Sequence, residues 1–147
     1  MGSEDARDDV TFVRIYGATP DVMFAAMTTP EHLTNFWGPP GMTTPLDGIV
    51  IDLRPGGEFT TVMIDPDGNE YPNRGVFLEI EEPTRIVWGE SGIAEGMTNT
   101  ISFRDLGDGR TEAVTVQTNV PAMFRSPEAI EGMEAAFDRM NAYVSSL

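Results

Sequence analysis

The chain has 147 residues, 40% of them hydrophobic, and its 24 acidic and 9 basic residues leave a net charge of −15. That suits one globular domain with a core, and it excludes the positive footprint that a nucleic-acid binder needs. Cysteine is absent and all nine basic residues are arginine, which removes disulfides, thiolate chemistry and a Schiff-base or general-base lysine.

Met1–Asp9 is polar and acidic, the opposite of a secretory signal, and is expected to form a disordered tail ahead of one domain over 10–147. No apolar run approaches the roughly 20 residues that span a bilayer, so membrane insertion is not expected and a cytoplasmic location is. Val10 to Tyr16 reads as a strand, with Val10, Phe12 and Arg14 on one side and Thr11, Val13 and Ile15 on the other. Thr19-Pro20-Asp21, Thr29-Pro30-Glu31 and Ser126-Pro127-Glu128 share one start signal. A hydroxyl caps a free N–H, proline occupies the first helical position, and an acid meets the positive helix end. They predict helices over 20–27, 30–37 and 127–146, the first two forming one bent unit.

Gly38-Pro39-Pro40-Gly41 breaks the second helix. Strands follow near 46–53, 57–65, 74–81, 84–90, 97–105 and 111–120. The links between them are turn-like, with a longer one over 91–96. The order β-α-α-β6-α predicts an α+β fold. Alternation assigns inward faces to Ile49, Ile51 and Leu53, to Phe59, Thr61 and Met63, and to Val76, Leu78 and Ile80. It does the same for Ile86 and Trp88, for Met97, Asn99, Ile101 and Phe103, and for Val114, Val116, Thr118 and Val120. In the closing helix, Ile130, Met133, Phe137, Met140, Val144 and Leu147 recur at three and four residues and share a face. At 1.5 Å per residue this helix is roughly 30 Å long and needs an apolar surface to lie against.

Several stretches carry a family likeness. They are Pro30-Glu31-His32-Leu33 with Phe36-Trp37-Gly38-Pro39, then Asp52-Leu53-Arg54-Pro55-Gly56-Gly57-Glu58-Phe59, and Asp65-Pro66-Asp67-Gly68 with Tyr71-Pro72. Arg74-Gly75-Val76, Glu79-Ile80 and Pro83-Thr84-Arg85-Ile86-Val87-Trp88 complete the set. With this element order, the chain resembles the START-like, Bet v 1-like (SRPBCC) helix-grip superfamily. Within it, the likeness is to the branch named for the C-terminal domain of the activator of Hsp90 ATPase. The resemblance covers nearly the whole chain. It implies a curved antiparallel sheet wrapped around the long C-terminal helix, with an apolar cavity between them. Members bind lipids, sterols, polyketides or other hydrophobic molecules, and some are cyclases or dehydratases. Many relatives open the last helix with Gly-Trp. Here the pair is Gly132-Met133, a flexible thioether in place of an indole.

Other chemistry is thinly represented. His32, the only histidine, lies in the first turn of the second helix, where the dipole disfavours an imidazolium. Counting from Asp65, an EF-hand loop would need glycine at position six and glutamate at twelve. The chain has Glu70 and Val76, so a hairpin turn is expected. No metal site, phosphate loop, nucleophile elbow or cofactor is expected. The more telling signals are the methionines Met23, Met27, Met42, Met63, Met97, Met123, Met133 and Met140, which suit an adaptable apolar site. Polar residues on predicted inward faces, Arg74, Glu90, Asn99 and Thr118, are the other signal.

Three functions stay open. The first is binding of a small hydrophobic or amphipathic, lipid- or polyketide-like molecule between sheet and helix. Its lining would be Trp37, Met42, Phe59, Met63, Trp88, Asn99, Met133, Phe137 and Met140, with Arg74 or Glu90 near an opening. The second is a cyclase- or dehydratase-type enzyme on the same cavity. The third is a stress- or chaperone-associated interaction protein. The partner expected is a small hydrophobic molecule, with a homodimer left open. Val144 and Leu147 are expected to pack, while Met133, Phe137 and Met140 face the cavity.

Overall fold

The computed structural model describes residues 8–91 and 95–147. Strand β1 (Asp8–Tyr16) leads into α1 (Pro20–Thr28) and α2 (Pro30–Leu33). Strands β2 (Val50–Ile51), β3 (Glu58–Ile64), β4 (Glu70–Glu81), β5 (Arg85–Ser91), β6 (Thr98–Asp105) and β7 (Thr111–Val120) follow, and α3 (Pro127–Val144) closes the chain. The strands form one antiparallel sheet in the order β1-β7-β6-β5-β4-β3-β2. The sheet is curved and α3 lies against it, the α+β helix-grip architecture expected. The tail expected over Met1–Asp9 lies outside the described residues except for Asp8 and Asp9, which are already in β1. Of the link expected over 91–96, residues 92–94 also fall outside them.

The start signals work unequally. Thr19 Oγ1 accepts from the Val22 N–H and Ser126 Oγ from the Ala129 N–H. Thr29 makes no such bond, because it also ends α1. The α-helical part of α2 stops at Leu33, short of the expected Trp37, and the chain continues in turns. The strand expected over 46–53 shrinks to two residues. A 3-10 turn occupies Leu46–Gly48 ahead of it, and Leu53 is exposed rather than inward.

Two inward faces differ from the alternation rule. On β4 the register shifts between Phe77 and Glu79, so Leu78 is an extra residue against β5. Gly75 and Phe77 face inward before this bulge and Ile80 after it, while Val76 and Leu78 are exposed. On β7 the inward row is Thr111, Ala113, Thr115 and Gln117, not Val114, Val116 and Thr118. Asn119 then takes a positive φ of 59°, and Val120 turns inward as expected, fully buried. The faces on β3, β5 and β6 are as predicted.

The core is not centred under the whole of α3. Tyr16, Met23, Phe24, Leu33, Phe36, Phe77, Ile86, Ile101 and Phe103 join Met140 and Val144, from the C-terminal half of the helix. Phe59 and Phe77 stack at 5.1 Å between ring centroids, and Trp88 meets Phe59 edge-on at 5.3 Å.

Candidate functional site

The N-terminal half of α3 covers a hollow. Gly132, Met133, Ala136, Phe137 and Met140 form the roof of a cavity of about 550 Å³. The turns after α2 supply Phe36, Trp37, Pro39 and Met42, and the sheet supplies the floor. Six methionines line it: Met27, Met42, Met63, Met97, Met133 and Met140. Such side chains re-pack around ligands of different shape at low cost. Met23 is instead solid core, and Met123 is exposed.

The floor carries a polar belt. Residues two apart on a strand share a face, so Asn73 on β4, Trp88 and Glu90 on β5, Asn99 on β6 and Gln117 on β7 all point inward. They connect in one direction. Gln117 Nε2 donates to Asn99 Oδ1 at 3.2 Å, and Asn99 Nδ2 donates to Glu90 Oε1 at 3.0 Å. Trp88 Nε1 and Asn73 Nδ2 reach the same oxygen over longer distances, 3.3 and 3.4 Å. Trp88 Nε1 can only donate, so Oε1 is an acceptor. Burial pushes the Glu90 carboxyl above the ordinary glutamate range, and the N–H donors of Asn73, Trp88 and Asn99 pull it back.

Gly75 makes room for this arrangement. A Cβ there would stand 2.8 Å from the Phe59 carbonyl oxygen and 3.4 Å from Trp88 Cδ1. A side chain would have to push apart β3 and β4, and would press on the Gly89 carbonyl of β5 at 3.1 Å.

Polar ties fix the edges of the cavity. Arg139 Nη1 donates to the carbonyls of Gly38, Pro39 and Met42, at 3.3, 3.4 and 3.2 Å, and holds the turn after α2 to α3. Tyr71, at the rim, donates to Asp65 Oδ2 at 2.9 Å. Asp65 Oδ1 accepts from the backbone of Asp67 and Asn69, which makes the segment a hairpin turn between β3 and β4, as expected. These bonds, led by Asn69, lower the Asp65 pKa. At the packed end, His32 Nδ1 and Tyr143 Oη lie 2.6 Å apart, and Tyr143 leans on Phe36. Arg14 reaches from β1 to Glu134 and Asp138 and sits 5.8 Å from the Phe137 ring centroid.

Trp37, Met42, Met63, Trp88, Glu90, Asn99, Met133, Phe137 and Met140 all line the cavity. Phe59 stands behind the lining, in contact with Trp37 and Trp88. Arg74 requires correction. Its neighbour Gly75 is the inward residue, so Arg74 lies on the outer face, beside Thr60 and Ser91. Thr118 is also on that face, its hydroxyl against Thr98. Asn73, Thr115, Gln117, Phe124 and Glu128 line the cavity without having been anticipated. Gln117 carried a readable signal, a long amide that follows the run Val114-Thr115-Val116 in β7. Among the described residues, no group of three His, Asp or Glu side chains is placed to hold a metal, and no helix is long and apolar enough to cross a membrane.

The fold recurs in solved structures. A protein from Nitrosomonas europaea is 26% identical, with a TM-score of 0.82 over 99% of this chain and 97% of that one. One from Mycobacterium smegmatis is 27% identical, with a TM-score of 0.77 over 94% and 91% of the two chains. The AHSA1 protein from Silicibacter pomeroyi shares the fold, with a TM-score of 0.78 at 19% identity over 94% and 98% of the chains. No curated protein matches the sequence. The profile of the "Activator of Hsp90 ATPase homolog 1-like protein" family matches residues 17–145. The chain belongs to that family, and through it to the START-like helix-grip superfamily.

Proposed function

We propose that this protein binds a small hydrophobic or amphipathic molecule in the cavity between the sheet and α3. The observation that carries this reading is the cavity itself, about 550 Å³ and lined mainly by methionine and aromatic side chains. Its size lies within the roughly 300–1,000 Å³ of small-molecule sites, and its few convergent polar groups match their usual make-up. The fold commonly accommodates hydrophobic ligands, which supports the same reading. Glu90 is held by three donors, which suits an anchoring group better than a free proton donor, so the geometry favours binding over catalysis. A protein-docking role has less support. The exposed apolar residues of the outer face divide between Val13 and Ile15 on β1 and Val50, Val76 and Leu78 on β2 and β4, with β7, β6 and β5 between the two groups.

Native mass spectrometry of protein purified from its own host is the test. A co-purifying molecule of a few hundred daltons is expected, and it should disappear in Met133→Trp, whose indole would fill the roof. A ligand-free protein, or a ligand that survives this substitution unchanged, would overturn the assignment to this cavity.

A further inference from the structure

The charge on the cavity wall narrows what it can hold. Among the described residues, Glu90 and Glu128 line it, and no arginine, lysine or histidine does. A carboxylate or phosphate headgroup brought inside would meet like charge and no cationic partner. A cation would meet the reverse.

The geometry of Glu90 gives the cation a specific seat. Asn73, Trp88 and Asn99 all donate to Oε1, and Oε2 takes no hydrogen bond. Fully buried side-chain atoms without a partner occur only at Thr60 and Thr61 among the described residues, so Oε2 is not sealed off, on a residue that lines the cavity. N–H donors converging on one oxygen are the arrangement that serves an ionised carboxylate. The direction is set from behind, because Gln117 occupies Asn99 Oδ1 and turns the Asn99 amide N–H toward Glu90. The wall thus prepares an acceptor and leaves its second oxygen open. The same cavity is lined by the indoles of Trp37 and Trp88 and the ring of Phe137, whose faces also attract cations.

Resting on the reading of this cavity as a ligand site, we infer that its occupant is a hydrophobic amine. The ammonium N–H bonds Glu90 Oε2, and the apolar body lies among the tryptophans and methionines under α3. The net charge of −15 adds a general attraction for cations, so the test must separate the local seat from the global field.

The test uses 6-phenylhexylamine, 6-phenylhexanol and 6-phenylhexanoate, three probes with one apolar body. The chain has two tryptophans, Trp37 and Trp88, and both line the cavity, so intrinsic fluorescence reads the site directly. At neutral pH and physiological salt the amine should bind at least about tenfold more tightly than the alcohol, and the carboxylate more weakly than either. In Glu90→Gln the advantage of amine over alcohol should collapse. The global field, which loses one charge among many, would leave that ratio almost unchanged. Equal binding of the three probes, tighter binding of the carboxylate, or an amine advantage that persists in Glu90→Gln would overturn this inference while leaving the cavity as a ligand site. Binding of none of the three would overturn both. Should the variant not fold, the ranking repeated at about 1 M salt decides, because salt screens the global field far more than a buried pair: the amine advantage should persist, and its loss would overturn the inference.

Discussion

The two halves of α3 face opposite problems. The last turns, with Tyr143 and Val144, close on the core around Tyr16 and Leu33, while Phe36 and Met140 stand at the boundary, in the core and on the cavity wall. The N-terminal half, with Gly132, Met133 and Ala136, spans a hollow above polar strand residues. One amphipathic stripe therefore does two jobs. Val144 is buried packing, Phe137 works in both halves through Phe12 and the cavity, and Leu147 is exposed beyond the end of the helix. An apolar face at helical spacing identifies a surface to be covered, and the opposing sheet decides whether it is covered by protein or by something else.

Substitutions should break that contrast in proportion to packing. Phe36→Ala, where the packed end meets the cavity, should cost about 3–5 kcal/mol in urea unfolding, because its ring is buried and leans on Tyr143. Arg14→Ala should cost about 1–2 kcal/mol. It removes a half-buried guanidinium that joins Glu134, Asp138 and the Phe137 ring, although those carboxylates are largely exposed. Met133→Ala should cost less than about 1 kcal/mol, since its side chain already borders empty space. A Met133→Ala cost approaching that of Phe36→Ala would show that the hollow end is packed after all.

A smaller effect concerns pH. The Glu90 carboxyl is raised by burial, so the folded protein holds that proton more tightly than the unfolded chain. This contribution to stability is full below the ordinary glutamate range and is lost as pH rises through the folded value. Asn73, Trp88 and Asn99, which face Glu90, are neutral, and Glu128 is the other carboxylate on the wall. Glu90→Gln should therefore gain on the unaltered protein in urea midpoint as pH rises across that range. A difference independent of pH would show that Glu90 is not desolvated.

Much of this contrast was legible in the residues. The capping signals placed α1 and α3, and alternation oriented β3, β5 and β6, whose inward rows contain Met63, Trp88, Glu90 and Asn99. It failed where the period of two was interrupted or where hydrophobicity misled. Leu78 is a bulge, and nothing in Val76-Phe77-Leu78 marks which residue is supernumerary. On β7, valine was expected inward because a core is apolar. The inward row borders a cavity instead, and holds Thr115 and Gln117. Arg74 was misplaced with Val76, whose face it shares, because Gly75, the inward residue between, has no side chain to mark the alternation. The role of Arg139 was not legible, since three backbone carbonyls brought together by a distant turn leave no trace in the sequence.

The claim that the N-terminal half of α3 covers a space meant for a ligand is tested most directly by titrating the neutral probe N-phenyl-1-naphthylamine. In the unaltered protein its emission should rise to a one-to-one end point while Trp37 and Trp88 are quenched, and in Met133→Trp that saturable signal should vanish. No saturable binding in the unaltered protein, or equal binding in the variant, would contradict the account.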